Sequence, residues 1–325
     1  MTNLFLCISC TILGGGGAWI VARFASKWGM IDVPSYRSSH AQPIPRGGGV
    51  GILSAFLLSS LLFNIPSSFW LPITALALLS FYGDMVELSP KFRLFLQFIA
   101  AIIFYLGINA TFENKICGFL SGIAITVFIV GTVNFYNFMD GINGIATITS
   151  IVGFGFLAFY SFLSEGCNSF AMLSACICFS CLGFLPFNIP RANVFMGDVG
   201  SIFLGFAFAG MVVWLSKSLL DFICLSALLF PFYADELTTI FVRMKDGENL
   251  LHAHRRHLYQ LLANEKGVSQ WKVSVGYGIV QLVVGVTVLM LKPFGSIMIL
   301  CILMTYFAGF TMVSFFIRKN LAAFL

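Results

Sequence analysis

Residues 193–216 read Asn193-Val-Phe-Met-Gly-Asp198-Val-Gly-Ser-Ile-Phe-Leu-Gly-Phe-Ala-Phe-Ala-Gly-Met-Val-Val-Trp-Leu-Ser216. One carboxylate between glycines opens a run, Val199 to Leu215, that holds no charged residue. Crossing a bilayer takes about 20 apolar residues, so this run is a membrane-span candidate, and the acid at its mouth is a functional candidate. The alternation of long apolar run and short polar island recurs along the whole chain. Of 325 residues, 59% are hydrophobic and 10% charged, where soluble domains have roughly 45–50% and 25%. Mean hydropathy is +0.95. Thirty-seven Phe cannot be hidden behind 18 basic and 13 acidic side chains, which excludes a soluble globular or disordered protein.

The sequence predicts an all-α integral membrane protein of about eleven spans, ten being the alternative, in one polytopic domain covering 1–325. The spans fall near 4–22, 48–64, 68–83, 93–110, 117–134, 143–163, 169–187, 199–216, 219–241, 272–291 and 294–316. The first reads as an uncleaved anchor, because no positive charge precedes it. Lys and Arg number 15 in segments 23–47, 84–93, 135–142, 188–198, 242–272 and the C-terminal tail, against three (Lys115, Lys217, Lys292) on the alternate side. By the positive-inside rule the first set is cytoplasmic and the N-terminus lies outside. All four histidines and eight of the thirteen acids fall in the cytoplasmic set, with Asp235 and Glu236 toward the cytoplasmic end of the span 219–241, so the chemistry is expected there. The net charge of +5 suits orientation and anionic headgroups. Nucleic acid is not expected, because no long basic run interleaves with aromatics. The nine cysteines sit mostly inside apolar runs as small hydrophobes, and a Cys117–Cys167 disulfide is not favoured.

Five polar islands carry the candidate chemistry. The first, 32–49, ends in Arg46 and a Gly triplet that opens a helix, which suits phosphate and equally a plain turn. The second sets Asp84 at the end of an apolar run. In the third, Asn134, Asn137 and Asp140 recur every three residues, so a helical turn would align them for a nucleotide or a hydrated cation; Asn143 follows in an Asn-Gly turn. The fourth is the Asp198 segment. A carboxylate facing phosphate oxygens needs a cation between them, and Mg²⁺ uses one or two carboxylates plus substrate phosphates. The fifth holds Asp235-Glu236 and then His252, His254, Arg255, Arg256 and His257 in the longest loop, the expected substrate clamp. His254 and His257 have a spacing that could serve zinc, but Arg255 and Arg256 favour an anion.

Taken together, "DVPSYRSSHAQPIPRGGG", "GDMVELSPKFRLFLQ", "NFYNFMDGING", "VFMGDVGSIFLG" and "AHRRHLYQLL" resemble the polyprenyl-phosphate N-acetylhexosamine-1-phosphate transferases (the MraY/WecA type, glycosyltransferase family 4). The matches run in order from about residue 32 to 260. The "AHRRHLYQ" form resembles members that initiate O-antigen or other surface polysaccharides more than it resembles phospho-MurNAc-pentapeptide translocases, whose loop is His-rich. The chain departs from the family pattern twice. Gly83 stands where the family has the first of two acids, and Asn143 replaces the second Asp of a DGxDG motif.

The resemblance implies a multi-pass protein of the bacterial inner membrane whose site faces the cytoplasm. It implies transfer of N-acetylhexosamine-1-phosphate from a UDP-N-acetylhexosamine to polyprenyl phosphate with release of UMP. Mg²⁺, or Mn²⁺ in its place, is the implied cofactor, with homodimerisation left open. Asp198 and Asp84 are the implied metal contacts, and Asp84, Asp198, His254 and His257 the implied catalytic set. Asn134, Asn137, Asp140, Asn143, His252, Arg255 and Arg256 would bind the nucleotide sugar, and Arg46 the lipid phosphate. The rival from another class is an ion-coupled transporter, since intramembrane acids and glycine-broken helices also mark carriers; no internal repeat supports it.

Overall fold

The computed structural model describes residues 2–34, 38–86, 88–111, 119–164, 166–250, 252 and 254–322. Lys115 and Cys117, named above, lie outside them. Apolar runs become helices because lipid offers the backbone no hydrogen-bond partners, so each span must satisfy its own. In chain order these are α1 (Thr2–Phe24), α2 (Val50–Leu62), α3 (Ser67–Met85), α4 (Pro90–Thr111), α5 (Phe119–Met139), α6 (Ile145–Leu163), α7 (Asn168–Asn188), α8 (Gly197–Leu215), α9 (Leu219–Ser226), α10 (Phe230–Lys245), α11 (Leu258–Gln260), α12 (Gln270–Leu291) and α13 (Ser296–Ala322). Among the described residues, eight helices are long and apolar enough to cross a membrane. The protein is therefore a multi-pass, all-α membrane protein.

The remaining expected spans differ in instructive ways. The second is short, 13 residues. The third, α3, is 19 residues long but carries Pro72 and Asp84, which dilute its apolar character. The expected continuous span 219–241 is broken: α9 ends at Ser226, a 3₁₀ turn spans Ala227–Leu229, and α10 restarts with Pro231 in its first turn. Proline is pre-organised for a helix start and lacks an N–H that a helix interior would need. Within the expected loop 242–272, α11 and a π-helical turn at Leu261–Glu265 form. A two-residue hairpin, β1 (Ile31–Asp32) with β2 (Ile44–Pro45), ties down the first island.

The chain winds around α8, the most enclosed span, 83% buried. Helices α3 and α5 pack along it, while α1 pairs with α7, and α6 with α7 and α12. Small residues permit this closeness. A Cβ on Gly49 would stand 2.4 Å from the Gly200 Cα, which brings the start of α2 directly against the first turn of α8.

Candidate active site

The site is built at the N-terminus of α8. Residues 45–49 run beside 195–196: Phe195 N–H donates to the Pro45 carbonyl (2.7 Å), Gly48 N–H to Phe195 O (2.9 Å) and Gly49 N–H to Met196 O (2.9 Å). The first and fourth islands are thus laced together. Gly197 then turns into the helix with φ +76°, and a Cβ there would lie 2.6 Å from Gly47 N and 2.8 Å from Asp84 Oδ2; only glycine fits.

The first amides of a helix have no intrahelical partner, and here a carboxylate from α3 serves them. Asp198 N–H donates to Asp84 Oδ1 (3.1 Å) and Val199 N–H to Asp84 Oδ2 (3.2 Å). Asp84 is buried at 2% exposure. Arg46 donates from Nε to the Asp84 main-chain carbonyl (3.1 Å). Asp198 points the other way. Its Oδ1 accepts from Asn137 Nδ2 (2.9 Å), which also donates to Ser201 Oγ (2.8 Å), and its Oδ2 pairs with Arg93 Nη1. Both side chains of that ion pair remain partly exposed, 31% for Arg93 and 22% for Asp198.

Asp140 lies just past the end of α5. Burial, then the charges of Asp198 and Asp84, push its carboxyl up to about 7. The expected alignment of Asn134, Asn137 and Asp140 splits by depth. Asn134 turns to Gln97 Oε1 (2.6 Å) and its own helix at Val130 O (2.7 Å), whereas Asn137 reaches Asp198. Asn143 stitches loops: its N–H donates to Gln270 Oε1 (3.0 Å), its carbonyl accepts from Ser274 Oγ (2.7 Å), and its amide reaches Pro190 O (3.4 Å).

The 246–260 loop folds over buried acids of α10. Asp235 receives Leu258 N–H (2.8 Å), Tyr259 N–H (3.3 Å) and Tyr277 O–H (2.7 Å), so it starts α11 much as Asp84 starts α8. His257 is buried between Asp235 (3.8 Å) and Glu236 (3.6 Å). Burial would lower its pKa, but the two acids beside it, Asp235 and Glu236, outweigh that and raise it. Next to it, rings 4.8 Å apart, burial and the His257 charge drive His254 down to about 4. Arg256 pairs with Asp246 (2.6 Å) and Glu248, and Arg255 approaches Glu265 (3.9 Å); both arginines are thus neutralised within the loop. Arg243 donates to the main-chain oxygens of Asn249 (2.6 Å), Leu250 (3.3 Å) and His252 (3.1 Å), while His252 itself is exposed. Tyr259 joins the loop to the Asp140 corner: its ring stacks on His257 (5.6 Å) and its O–H donates to Phe138 O (2.9 Å).

The family profile described as glycosyl transferase family 4 matches residues 67–216. In Thermotoga maritima, the undecaprenyl-phosphate alpha-N-acetylglucosaminyl 1-phosphate transferase is 31% identical over 255 residues, covering 78% of this chain and 79% of that protein. This chain belongs to glycosyl transferase family 4. Also similar are a probable undecaprenyl-phosphate N-acetylglucosaminyl 1-phosphate transferase of Bacillus subtilis, 32% identical over 201 residues (58% of this chain, 56% of that one), and a phospho-N-acetylmuramoyl-pentapeptide-transferase of Oceanobacillus iheyensis, 27% identical over 266 residues (73% and 80%). Within family 4 the chain falls among the polyprenyl-phosphate hexosamine-1-phosphate transferases, and it is a glycosyl-1-phosphate transferase.

For a family 4 member, the corner joining Asp84, Asp198, Asn137, Asp140 and Arg46 is the natural centre of attention. Four of its residues escaped the sequence reading as site residues. Arg93 stood in the second island but looked like an orientation charge. Gln97 is a lone amide within an apolar run. Asn188 accepts from Gly144 N–H (2.7 Å) and donates to Val194 O (3.1 Å), holding two site loops together. Tyr259 was hidden among basic neighbours. Buried amides inside spans were the available signal for Gln97 and Asn188, because lipid makes each one costly unless bonded.

Proposed function

We propose that this protein transfers N-acetylhexosamine-1-phosphate from a UDP-N-acetylhexosamine to a polyprenyl phosphate such as undecaprenyl phosphate, with its site facing the cytoplasm of a bacterium, and so begins a surface polysaccharide such as O-antigen. The observation that carries this reading is the α8 N-terminus. It offers a partly open carboxylate (Asp198) and a guanidinium (Arg93) side by side, held by Asn137 and by the Asp84 cap, in a chain of this family.

In the reaction an oxygen of the lipid phosphate attacks the sugar-bearing phosphorus of the diphosphate, that phosphorus loses its bond to the bridging oxygen, and UMP leaves. A phosphate monoester has its second pKa near 6, so the acceptor is already largely a dianion at neutral pH and no strong base is needed. Positioning and charge neutralisation remain as the tasks. Among the described residues no three His, Cys, Asp or Glu side chains gather into a metal cage. The donor set instead suits a divalent ion completed by substrate phosphates and water, with Asp198 as its protein ligand and Asp84 adjoining through lone pairs its two amide contacts leave spare. Such an ion would neutralise charge on the departing UMP. Arg93 would release Asp198 and turn to phosphate, which its planar fork suits. Asn137 orients Asp198, and Asp140 with Asn134 and Asn143 lines the nucleotide side. Neutral His254 would donate a hydrogen bond to the sugar-diphosphate, with His252 and the Arg255 and Arg256 edge beside it, while buried His257 holds the loop in position. Arg46 fixes Asp84 from behind.

A second reading, transfer of phospho-MurNAc-pentapeptide, is favoured by the Oceanobacillus relative, 80% of whose length the chain covers. Membranes containing the protein, given polyprenyl phosphate and a panel of UDP-sugars, decide the matter. UMP release with a lipid product heavier by one N-acetylhexosamine phosphate supports the first reading, a product carrying the pentapeptide supports the second, and no UMP from any donor refutes both.

A further inference from the structure

A basic residue at the cytoplasmic end of a last span ordinarily sets orientation and reaches for headgroups. Lys319, which is exposed, suits that part. Arg318 does not: it turns inward and is half-buried. Its Nε donates to Ser314 Oγ (3.2 Å), one turn back on α13. Its Nη2 donates to the Arg256 main-chain carbonyl (2.7 Å) and to Thr239 Oγ1 of α10 (3.2 Å). The helix that carries it stands mostly in lipid, with 6% of its span buried against 83% for α8, so enclosure by a core does not dictate this inward turn.

The hydrogens show what the turn achieves. Thr239 has one hydroxyl hydrogen and two acceptors in reach, Asp235 Oδ1 (3.2 Å) and Arg256 O (3.5 Å). Because the guanidinium serves Arg256 O at the shorter distance, the Thr239 hydrogen is left for Asp235. That carboxylate also holds the Leu258 and Tyr259 amides and the Tyr277 hydroxyl. The peptide around His257 is therefore gripped on both sides, its preceding carbonyl by Arg318 and its following amides by Asp235. Attraction between the Arg318 and Asp235 charges tightens the same network. A lysine would offer one ammonium where the planar fork makes three contacts.

We infer that Arg318 is a positioning residue: by holding the Arg256 carbonyl it fixes the 254–259 clamp over the sugar-diphosphate, touching no substrate itself. The substrate named here rests on the transfer reading above; the anchoring of the loop does not.

The test uses the full-length protein in lipid nanodiscs and compares Arg318→Met, Arg318→Lys and Thr311→Val. The last removes a separate bond between α13 and α10, to Thr238 (3.2 Å). Arg318→Met should raise the KM for UDP-N-acetylglucosamine by about tenfold or more, as expected when a charged donor is lost, with the KM for undecaprenyl phosphate unchanged. Arg318→Lys keeps a charged donor and should come back to within about threefold of the unaltered chain. Thr311→Val should leave both KM values unchanged. Without substrate, hydrogen exchange at the Leu258 and Tyr259 amides should quicken in Arg318→Met and not in Thr311→Val. An arginine that only stabilised the fold would lower melting temperature and kcat together, leaving KM and the loop's exchange where they were. That result, a KM rise in Thr311→Val equal to that in Arg318→Met, or a lysine variant no better than the methionine one would overturn the assignment. Should Arg318→Met not fold, quickened loop exchange with a raised KM in Arg318→Lys supports it, and unaltered values of both oppose it. Quickened exchange in a chain that releases no UMP from any UDP-sugar would sink the transfer reading while leaving Arg318 as the loop's anchor.

Discussion

At the scale of single residues, the site depends on two carboxylates with different jobs. Asp84 spends both oxygens on the α8 amides, whereas Asp198 faces Arg93 and Asn137. Gly83 sits beside this pair, at the position where the family resemblance implies another acid. A Cβ there would touch only the movable end of Leu88 (3.2 Å), with Arg93 Nη2 at 3.8 Å. Gly83→Asp should therefore draw Arg93 off Asp198 and leave UMP release equal or raised; a severe loss would show a differently built centre. The two loop histidines should respond to pH in opposite senses. His257 is raised, so its contribution to stability is complete below pH ~6.5 and fades as pH rises through its folded value. His254, held near 4, costs stability as pH falls below ~6.5. Melting curves of detergent-purified protein should show His257→Gln losing most of its effect in alkali. His254→Gln should gain about 1–2 kcal/mol relative to the unaltered chain near pH 5. Asp84, Asp198 and Asn137 were legible in the sequence because charge or amide beside an apolar run is conspicuous. Arg93 as their partner was not, because sequence spacing says nothing about which helix ends meet.

At the scale of elements, α1 carries four consecutive glycines, Gly14–Gly17, which would weaken it as an isolated helix. The structure packs Gly14 and Gly15 against α7 and Gly17 against Gly51 of α2. A Cβ on Gly14 would fall 1.9 Å from the Ser180 carbonyl oxygen, and one on Gly183 1.9 Å from that of Thr11. Both obstacles are backbone and cannot swing aside. Gly14→Val should cost about 3 kcal/mol or more in thermal unfolding, while Gly16→Ala, with open space around its Cβ, should gain up to about 1 kcal/mol from helix propensity. Equal behaviour of the two would refute the close α1–α7 contact. Hydropathy placed the spans to within a few residues, since lipid imposes length and composition. It missed the break between α9 and α10, whose cause is local backbone chemistry at Pro231 and not apolarity.

At the scale of the whole molecule, polar groups gather at opposite ends of α8. Beyond its C-terminus, Asp221 binds Lys292 (2.5 Å) and accepts from Lys217 N–H (3.1 Å), while Tyr160 reaches both Asp221 and Lys292 (3.0 Å each). About 28 Å away along the 19-residue helix lie Asp84, Arg93 and Asp198. The positive-inside count assigns the second end to the cytoplasm. Accordingly Lys245→Cys should react with a membrane-impermeant maleimide only from the inner face of vesicles, and Lys217→Cys only from the outer face, each read against the unaltered chain. The reverse pattern would invert the proposed topology. The sequence alone told how many polar islands share a side; that islands from residues 46, 84, 137 and 198 share one corner depends on glycine-tight helix packing, which no linear pattern discloses.

The account stands or falls on Asp198 as the point where protein meets diphosphate. The direct measurement is UMP production from UDP-N-acetylglucosamine and undecaprenyl phosphate at saturating Mg²⁺, comparing the reconstituted chain with its Asp198→Asn form. A drop of at least about 10²–10³-fold with unchanged melting behaviour is the predicted result, and turnover within a few-fold of the unaltered chain would contradict it.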